Sequence, residues 1–560
     1  MKPACEKTRH KSIRAQGTSC LCIYTAVLLC CCVVFIAAGC AARPASKATE
    51  KNPLAADNNG LGATVSSVAE VFAFDAVPVK GYALVGGLEG TGSTECPPQI
   101  RSYLEKYILQ HLGGAKVNID ELIRSPDTAV VAVEGAMPPG ASQNERFDVS
   151  ITALSGTQTT SLKDGSLYGC DLYEARQFGS SIYTLATAEG PVFVDLINPD
   201  VDMRTGYILG GGVVTEGLKI NLIIRHPDYR LANLIGNRIN EKFGSSIATA
   251  LAPGTIELQV PAKYSNQKYK FLQLVRATYL ADTPELIQKR IQAGIQKLAS
   301  SGDKNAGEIT LEAIGNAVLP KLAVFLNSTD PEVRFRTARC MLNLGDKRAT
   351  EALWSIATDK ASAFRIDAIN AIALGAAAAD GAPLLRTLLG DDNSQIRLAA
   401  YENLVRTKDP SLNTKMIAGN FYLDQISTQA GAGPGKPVIF VSRRNQARVA
   451  LFGAPIRCRN NVFIETPDGS ITINVPANEQ NATLIRKHPK HPNSIIQLKS
   501  SLDLADIIQT LCSEPVSSPE KGAPGLGVSY SSLVALLKQM VDSGAVVAEF
   551  QPGPLPIIKK

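Results

Sequence analysis

Histidine is scarce in this chain, with five residues among 560, set against 57 Lys+Arg and 51 Asp+Glu. There is no H-E-x-x-H pair, no G-x-S-x-G elbow and no kinase signature. Carboxylates are plentiful, but no pair is spaced to separate an acid from a base. Those absences remove metalloprotease, serine-hydrolase and kinase chemistry and leave no catalytic constellation, so no enzyme activity and no cofactor are expected. His488 and His491 lie in "RKHPKHPN", which prolines and charges mark as a solvated loop, so they are not read as metal ligands. Surplus charge is also lacking. The formal +6 includes +4 from Lys2, Lys7, Arg9, Lys11 and Arg14 less Glu6, which leaves +2 for the rest. No basic stripe is present, and nucleic acid is excluded as a partner. Seven of the twelve cysteines stand at or before Cys40; Cys96, Cys170, Cys340, Cys458 and Cys512 remain, an odd number without a C-x-x-C. A structural zinc site is therefore not expected. Cys340 falls on the apolar side of an expected helix and reads as a buried thiol, while the pairing of Cys96, Cys170, Cys458 and Cys512 stays open.

What is present begins with the N-terminus. The five basic residues precede "LCIYTAVLLCCCVVFIAAG", an uninterrupted apolar run ending before Cys40. This is the pattern of a secretory signal, and "AAGC" resembles the bacterial lipobox, in which the cysteine is acylated and becomes the first mature residue. Residues 1–39 are read as signal peptide, Cys40 as the lipidation site and 40–65 as a flexible tether. An uncleaved membrane anchor is the alternative. Either reading places the remainder outside the cytoplasm, and a lipid on Cys40 would hold it to a membrane, the outer rather than the inner.

The chain is expected to be α+β. Residues 66–280 mix strands ("TAVVAVEGAM", "RFDVSITAL", "SIYTLATAEG", "LKINLIIR", "GTIELQVP") with helices at 97–112 and 228–243. In the second helix Leu231, Leu234, Ile235, Ile239 and Phe243 recur at helical spacing before Gly244. From 281 to 410 the texture becomes nearly all helical and repeats itself. "DPEVRFRTARCML", "ASAFRIDAINAIA" and "NSQIRLAAYENLV" align with Arg334, Arg365 and Arg397 in register, 31 and 32 residues apart. A further helix pair is expected near 306–327. Units that cannot bury an apolar face alone must stack, so this is read as a short HEAT-like solenoid. The three arginines are read as bracketing adjacent turns rather than as a ligand row. Removing 285–410 is expected to leave a folded remainder. Residues 411–436 are read as a linker, 437–552 as a smaller α+β part with closing helices in "SLDLADIIQTL" and "SYSSLVALLKQMVDSG" and a last strand "AVVAEF", and 553–560 as a tail.

"GGLEGTGST" (86–94) sits between an apolar run and an expected helix, and from Gly87 it reads G-x-x-x-x-G-S-T. Ser93 stands where a phosphate loop needs lysine, so the charge that would balance a nucleotide is missing. Gly87, Gly90 and Gly92 are instead read as a structural turn.

The same stretch carries a resemblance. "VKGYALVGGLEGTGS" (79–93) resembles the opening signature of flagellar P-ring proteins, approximately G-Y-G-L-V-V-G-L-x-G-T-G-D, with Gly81, Tyr82, Leu84, Val85, Gly87, Leu88, Gly90, Thr91 and Gly92 at matching places. Pro138, Pro139, Asp148, Val149, Ser161, Leu162, Gly165 and Leu167 take the positions of later family motifs. The closing helices and strand are similar as well. The resemblance implies a non-catalytic periplasmic ring subunit that self-assembles around the flagellar rod at the peptidoglycan and forms a bushing with the outer-membrane ring. Here that subunit would carry an inserted solenoid and a lipoprotein signal. An envelope adaptor whose solenoid binds a protein partner, unrelated to motility, is the alternative.

Overall fold

The computed structural model describes residues 60–558 apart from 73, 112–117, 176–182, 301, 376–377, 428–435, 488–494 and 516–524. The expected signal, Cys40, His10, His488 and His491 lie outside the described residues. The fold is α+β.

Alternating sequence in the first half forms β1 (Ala69–Phe72), β2 (Val77–Gly86), β3 (Ala129–Met137), β4 (Arg146–Ala153), β5 (Ser166–Glu174), β6 (Ala186–Pro191), β7 (Thr205–Val214), β8 (Ile220–Ile224), β9 (Ala248–Ala252) and β10 (Thr255–Leu258). Six of these close a barrel in the order β2-β3-β4-β7-β6-β5, so none of the six is left with an open edge. Strand β3 shows why the closure holds. Its Ala129, Val131, Val133 and Met137 join the barrel's buried interior, while Val130 points outward with Leu84 onto Leu104 and Ile108 of the helix Pro98–His111.

The other four strands form a sheet in the order β1-β8-β10-β9. The helix Tyr229–Phe243 packs against β9 and β10. Asp228 caps its start, Gly244 ends it at φ 119°, and Leu231, Ile235 and Ile239 form its buried stripe. From the same helix Asn240 donates to the carbonyl of Ala248 at 2.9 Å and accepts from its amide at 2.8 Å, which blocks the free edge of β9.

Between 284 and 406 the chain is a stack of helices. Pro284–Ala299 and Lys304–Ile314 come first, followed by short turns of helix through Asn327. The remaining helices are Pro331–Asn343, Arg348–Thr358, Arg365–Gly375, Ala378–Leu388 and Ser394–Arg406. The three aligned repeat segments form Pro331–Asn343, Arg365–Gly375 and Ser394–Arg406, which pack successively on one another and on Lys304–Ile314. The pair expected near 306–327 is Lys304–Ile314 with the short turns through Asn327, and one more helix, Pro284–Ala299, precedes it, started by Thr283 followed by Pro284. Small residues let the stack close: Thr337, Ala368 and Ala400, one turn after each aligned arginine, are fully buried.

The second strand-rich block supplies β11 (Asn413–Ile417), β12 (Phe421–Ile426), β13 (Val438–Ser442), β14 (Arg448–Phe452), β15 (Val462–Glu465), β16 (Ile471–Val475), β17 (Asn481–Lys487), β18 (Ile495–Ser501) and β19 (Glu549–Pro552). They make a five-stranded sheet, β11-β12-β14-β13-β19, and a four-stranded sheet, β15-β16-β17-β18. Two strands thus fall inside the 411–436 stretch expected as linker. "FYLDQI" alternates, and its Phe421, Leu423 and Ile426 are buried in this sheet's two faces. The last strand starts at Glu549, three residues after "AVV" begins to run alongside Cys458, so it is later than "AVVAEF" suggests. The helices Leu504–Cys512 and Tyr530–Asp542 pack in the core shared by both sheets, each capped by its preceding Asp503 or Ser529.

Candidate functional site

The glycine stretch follows β2 directly and forms a corner. Gly87 has φ 77° and Gly90 φ 94°, with Glu89 between them at φ 48°. Three left-handed positions turn the strand out of the barrel, and glycine adopts two of them at little cost. Gly92 serves differently: a Cβ there would lie 2.1 Å from the carbonyl oxygen of Thr128. The corner's amides are used within the protein. Leu88, Gly92 and Ser93 donate to the carbonyls of Asp127, Pro126 and Thr128 at 3.0, 2.9 and 2.8 Å, and Thr91 donates to Leu88 at 3.0 Å. Ser93 is buried, and its hydroxyl accepts from the amides of Glu95 and Gln158, both at 3.1 Å. A phosphate loop presents such amides to its ligand; these four are spent on backbone carbonyls, and the helix that follows starts only at Pro98.

This arrangement yields a test of the two glycine roles. Gly92→Ala pushes a methyl into backbone that cannot move aside, with an expected loss of about 3 kcal/mol or more. Gly87→Ala meets nothing within 4 Å and should cost only the left-handed backbone penalty of about 1–2 kcal/mol. Urea midpoints of the two variants would show the ranking, and an equal or reversed order would refute the assignment of close approach to Gly92.

Gly87 and Glu89 also line one wall of a cleft of about 1160 Å³ between the barrel and the C-terminal part, with Tyr168, Glu189, Tyr422 and Arg486. Much of its charge is already engaged. Arg146 donates to Gly210 O at 3.0 Å, Arg486 to Gly527 O at 2.8 Å, and Asp164 accepts from the hydroxyls of Ser529 and Ser532. No cluster of three or more His, Cys, Asp or Glu able to hold a metal gathers among the described residues.

Beside the cleft the barrel is joined to the C-terminal part by buried polar contacts. The Asp148 carboxylate accepts from the amides of Gly210 at 2.7 Å and Asn445 at 2.8 Å. Burial pushes its pKa up, against those two hydrogen bonds, which favour the ionised form. Gly210 has φ 61°, and a Cβ there would stand 2.0 Å from Asn445 O. Arg443 pairs with the buried Asp195 at 2.9 Å and donates to Gly553 O at 2.7 Å. The buried Ser531 hydroxyl accepts from Val194 N at 3.0 Å, and Phe193 from the barrel side packs on Tyr530 in the C-terminal core. Asp148 is legible through its family position, as are Gly165 and Leu167, which line the cleft. Gly210, Arg443, Asp195 and Ser531 are not, since each matters only for what the fold brings opposite it; the run "LGGG" at 209–212 is the one local signal.

The repeat arginines behave as brackets in two cases. Arg334 donates to Ser328 O at 3.2 Å and Arg365 to Ala357 O at 2.8 Å, each the end of the preceding turn or helix. Arg397 departs from this and reaches out of the solenoid to Lys436 O at 3.0 Å, over the ring of Phe452. Its helix is the last of the stack, so it meets a sheet where the others meet a helix. Cys96, Cys170, Cys340, Cys458 and Cys512 are all unpaired, and all but Cys96 are buried. Burial pushes the Cys170 thiol up to about 12 and that of Cys458 to about 11, which keeps both as thiols at neutral pH.

Comparison with known proteins places the first half of this architecture. Residues 64–287 match the family model described as Flagellar P-ring protein. Relatives of that name are 28% identical over 214 residues in Thermotoga maritima, covering 35% of this chain and 60% of the relative. In Fervidobacterium nodosum the figures are 29% over 210 residues, 35% and 60%; in Rhodopseudomonas palustris they are 27% over 209 residues, 34% and 53%. The chain therefore spans little more than half the length of these relatives. The barrel, the sheet beside it and the glycine corner, residues 64–287, are thus the part of the chain that is similar to flagellar P-ring proteins.

Proposed function

We propose that this chain is a structural, non-catalytic subunit of a flagellar basal-body P ring in the periplasm, tethered to the envelope by lipid on Cys40. The observation that carries the reading is the P-ring family match over 64–287, which includes a glycine corner whose amides are closed off by protein carbonyls. A ring of one subunit type needs head-to-tail contacts that close by rotation, and rod proteins, the outer-membrane ring and peptidoglycan would be its surroundings. No cofactor enters this role. The adaptor reading has less support. Charges along the stacked solenoid helices are largely satisfied by one another: Arg336 and Arg339 bind Glu308, and Asn343 binds Glu312.

Deleting the gene is expected to abolish or impair swimming, and the protein should copurify with basal bodies; full motility without it would overturn the ring reading. Cys40→Ser should release the protein from membranes on fractionation. Persistent integral-membrane behaviour would instead identify an uncleaved anchor.

A further inference from the structure

Beyond the joint lies a smaller cavity of about 250 Å³, where the helix Tyr229–Phe243 meets the first solenoid helices. We propose that it is a binding site for one oxyanion or carboxylate, held by Lys242.

The charges around it close pairwise except for one. Arg238 pairs with Glu241 at 2.7 Å and with Asp282. Arg290 pairs with Asp282 at 2.7 Å, donates to Leu61 O at 2.7 Å and Ala281 O at 2.8 Å, and lies 3.7 Å over the ring of Tyr279. Two guanidinium groups and two carboxylates thus balance. Lys242 is a third cation on the same wall, and it has no carboxylate partner among the described residues. Its contact is the ring of its neighbour Phe243, 5.9 Å away. Burial lowers the ammonium's pKa to about 8, with Glu312 opposing, Arg238 assisting and Asp282 opposing. A half-buried ammonium that Glu312 and Asp282 act on without forming an ion pair is costly, and a bound anion in direct contact would reduce that cost. The volume suits sulfate, phosphate or a carboxylate side chain and lies below the usual range of about 300–1,000 Å³ for larger ligands. That chemistry could come from a free anion or from an acidic side chain of a second copy.

The full chain in detergent would be treated with an amine-reactive ester at pH 8, in sulfate or phosphate against chloride at equal ionic strength, and modification read by mass spectrometry at Lys242 and at the exposed Lys289. The site predicts slower modification of Lys242 with Lys289 unchanged, by about tenfold for each unit by which the anion raises the amine's pKa. Sulfate or phosphate should also raise the melting temperature of the parent and of Lys242→Arg but not of Lys242→Met. Protection by sulfate or phosphate in dilute, monomeric protein identifies a small-anion site. Protection that appears only as the protein self-associates identifies a carboxylate from a second copy. Modification indifferent both to the anion and to association overturns the proposal.

Discussion

Deletion of residues 281–410 should leave no soluble, cooperatively folding remainder, contrary to what the repeat texture alone suggests. The last solenoid helix, Ser394–Arg406, covers one face of the five-stranded sheet. Its Tyr401 packs edge-on to Phe440 at 6.3 Å and to Phe452 at 5.4 Å, in a cluster that also buries Ile426 and Val438. Burying side chains of this size is worth about 1.5–3 kcal/mol each, so uncovering those four forfeits about 6–12 kcal/mol, comparable to the whole stability of an ordinary domain at about 5–15 kcal/mol. The other end is no freer. Ile309 and Ala313 pack with Leu274 of the P-ring-like half, and Lys270 pairs at 2.9 Å with the buried Glu312. The solenoid is thus a strut fixed at both ends. Soluble yield and denaturant unfolding of the deleted chain provide the measurement; a monodisperse product with a sharp transition would refute this view of the insert.

Asp424→Ala should be the most damaging single substitution at the same seam. Asp424 is fully buried on β12, where it accepts from the hydroxyls of Tyr401 and Thr414 and pairs with Arg448 on β14 at 2.5 Å. Burial first, and then the neighbouring carboxylate, push the Tyr401 phenol well above its ordinary range, so it remains a donor. Alanine would strand a largely buried guanidinium and two hydroxyls, and breaking a buried pair from one side costs about 3–5 kcal/mol. The pair's net worth is a separate matter. Asp424→Leu combined with Arg448→Met should recover part of the loss, because it removes both charges from the interior. Urea unfolding of the three variants and the parent would test this. A single substitution within about 0.5 kcal/mol of the parent, the range of ordinary surface changes, would show that the network does not hold the helix to the sheet.

These two seams join residues far apart in sequence, unlike the elements themselves. The stripe Leu231, Ile235, Ile239 and the stop at Gly244 appear where periodicity put them, because amphipathic spacing and glycine termination act within one element. The aligned repeats likewise form stacked helices. "FYLDQI" reads as linker because glycine and proline dominate the composition just after it, and its partners lie on β11 and β14. The corner at 86–94 was legible as a turn, and two of its three glycines are in fact held by backbone angle. That Gly92 is held by contact depends on Thr128, thirty-six residues away, which local sequence does not encode.

Taken alone, the order of residues determined most of the elements, their periodicity, the repeat, the poverty of catalytic groups and the likeness of residues 64–287 to flagellar P-ring proteins, since each rests on neighbours along the chain or on a motif read in order. The tertiary structure decided that six strands close into a barrel, that the solenoid is braced between two bodies, and that Asp148, Asp424 and Lys242 stand where they do. Burial and charge pairing are properties of surroundings, and those surroundings come from residues tens to hundreds of positions apart.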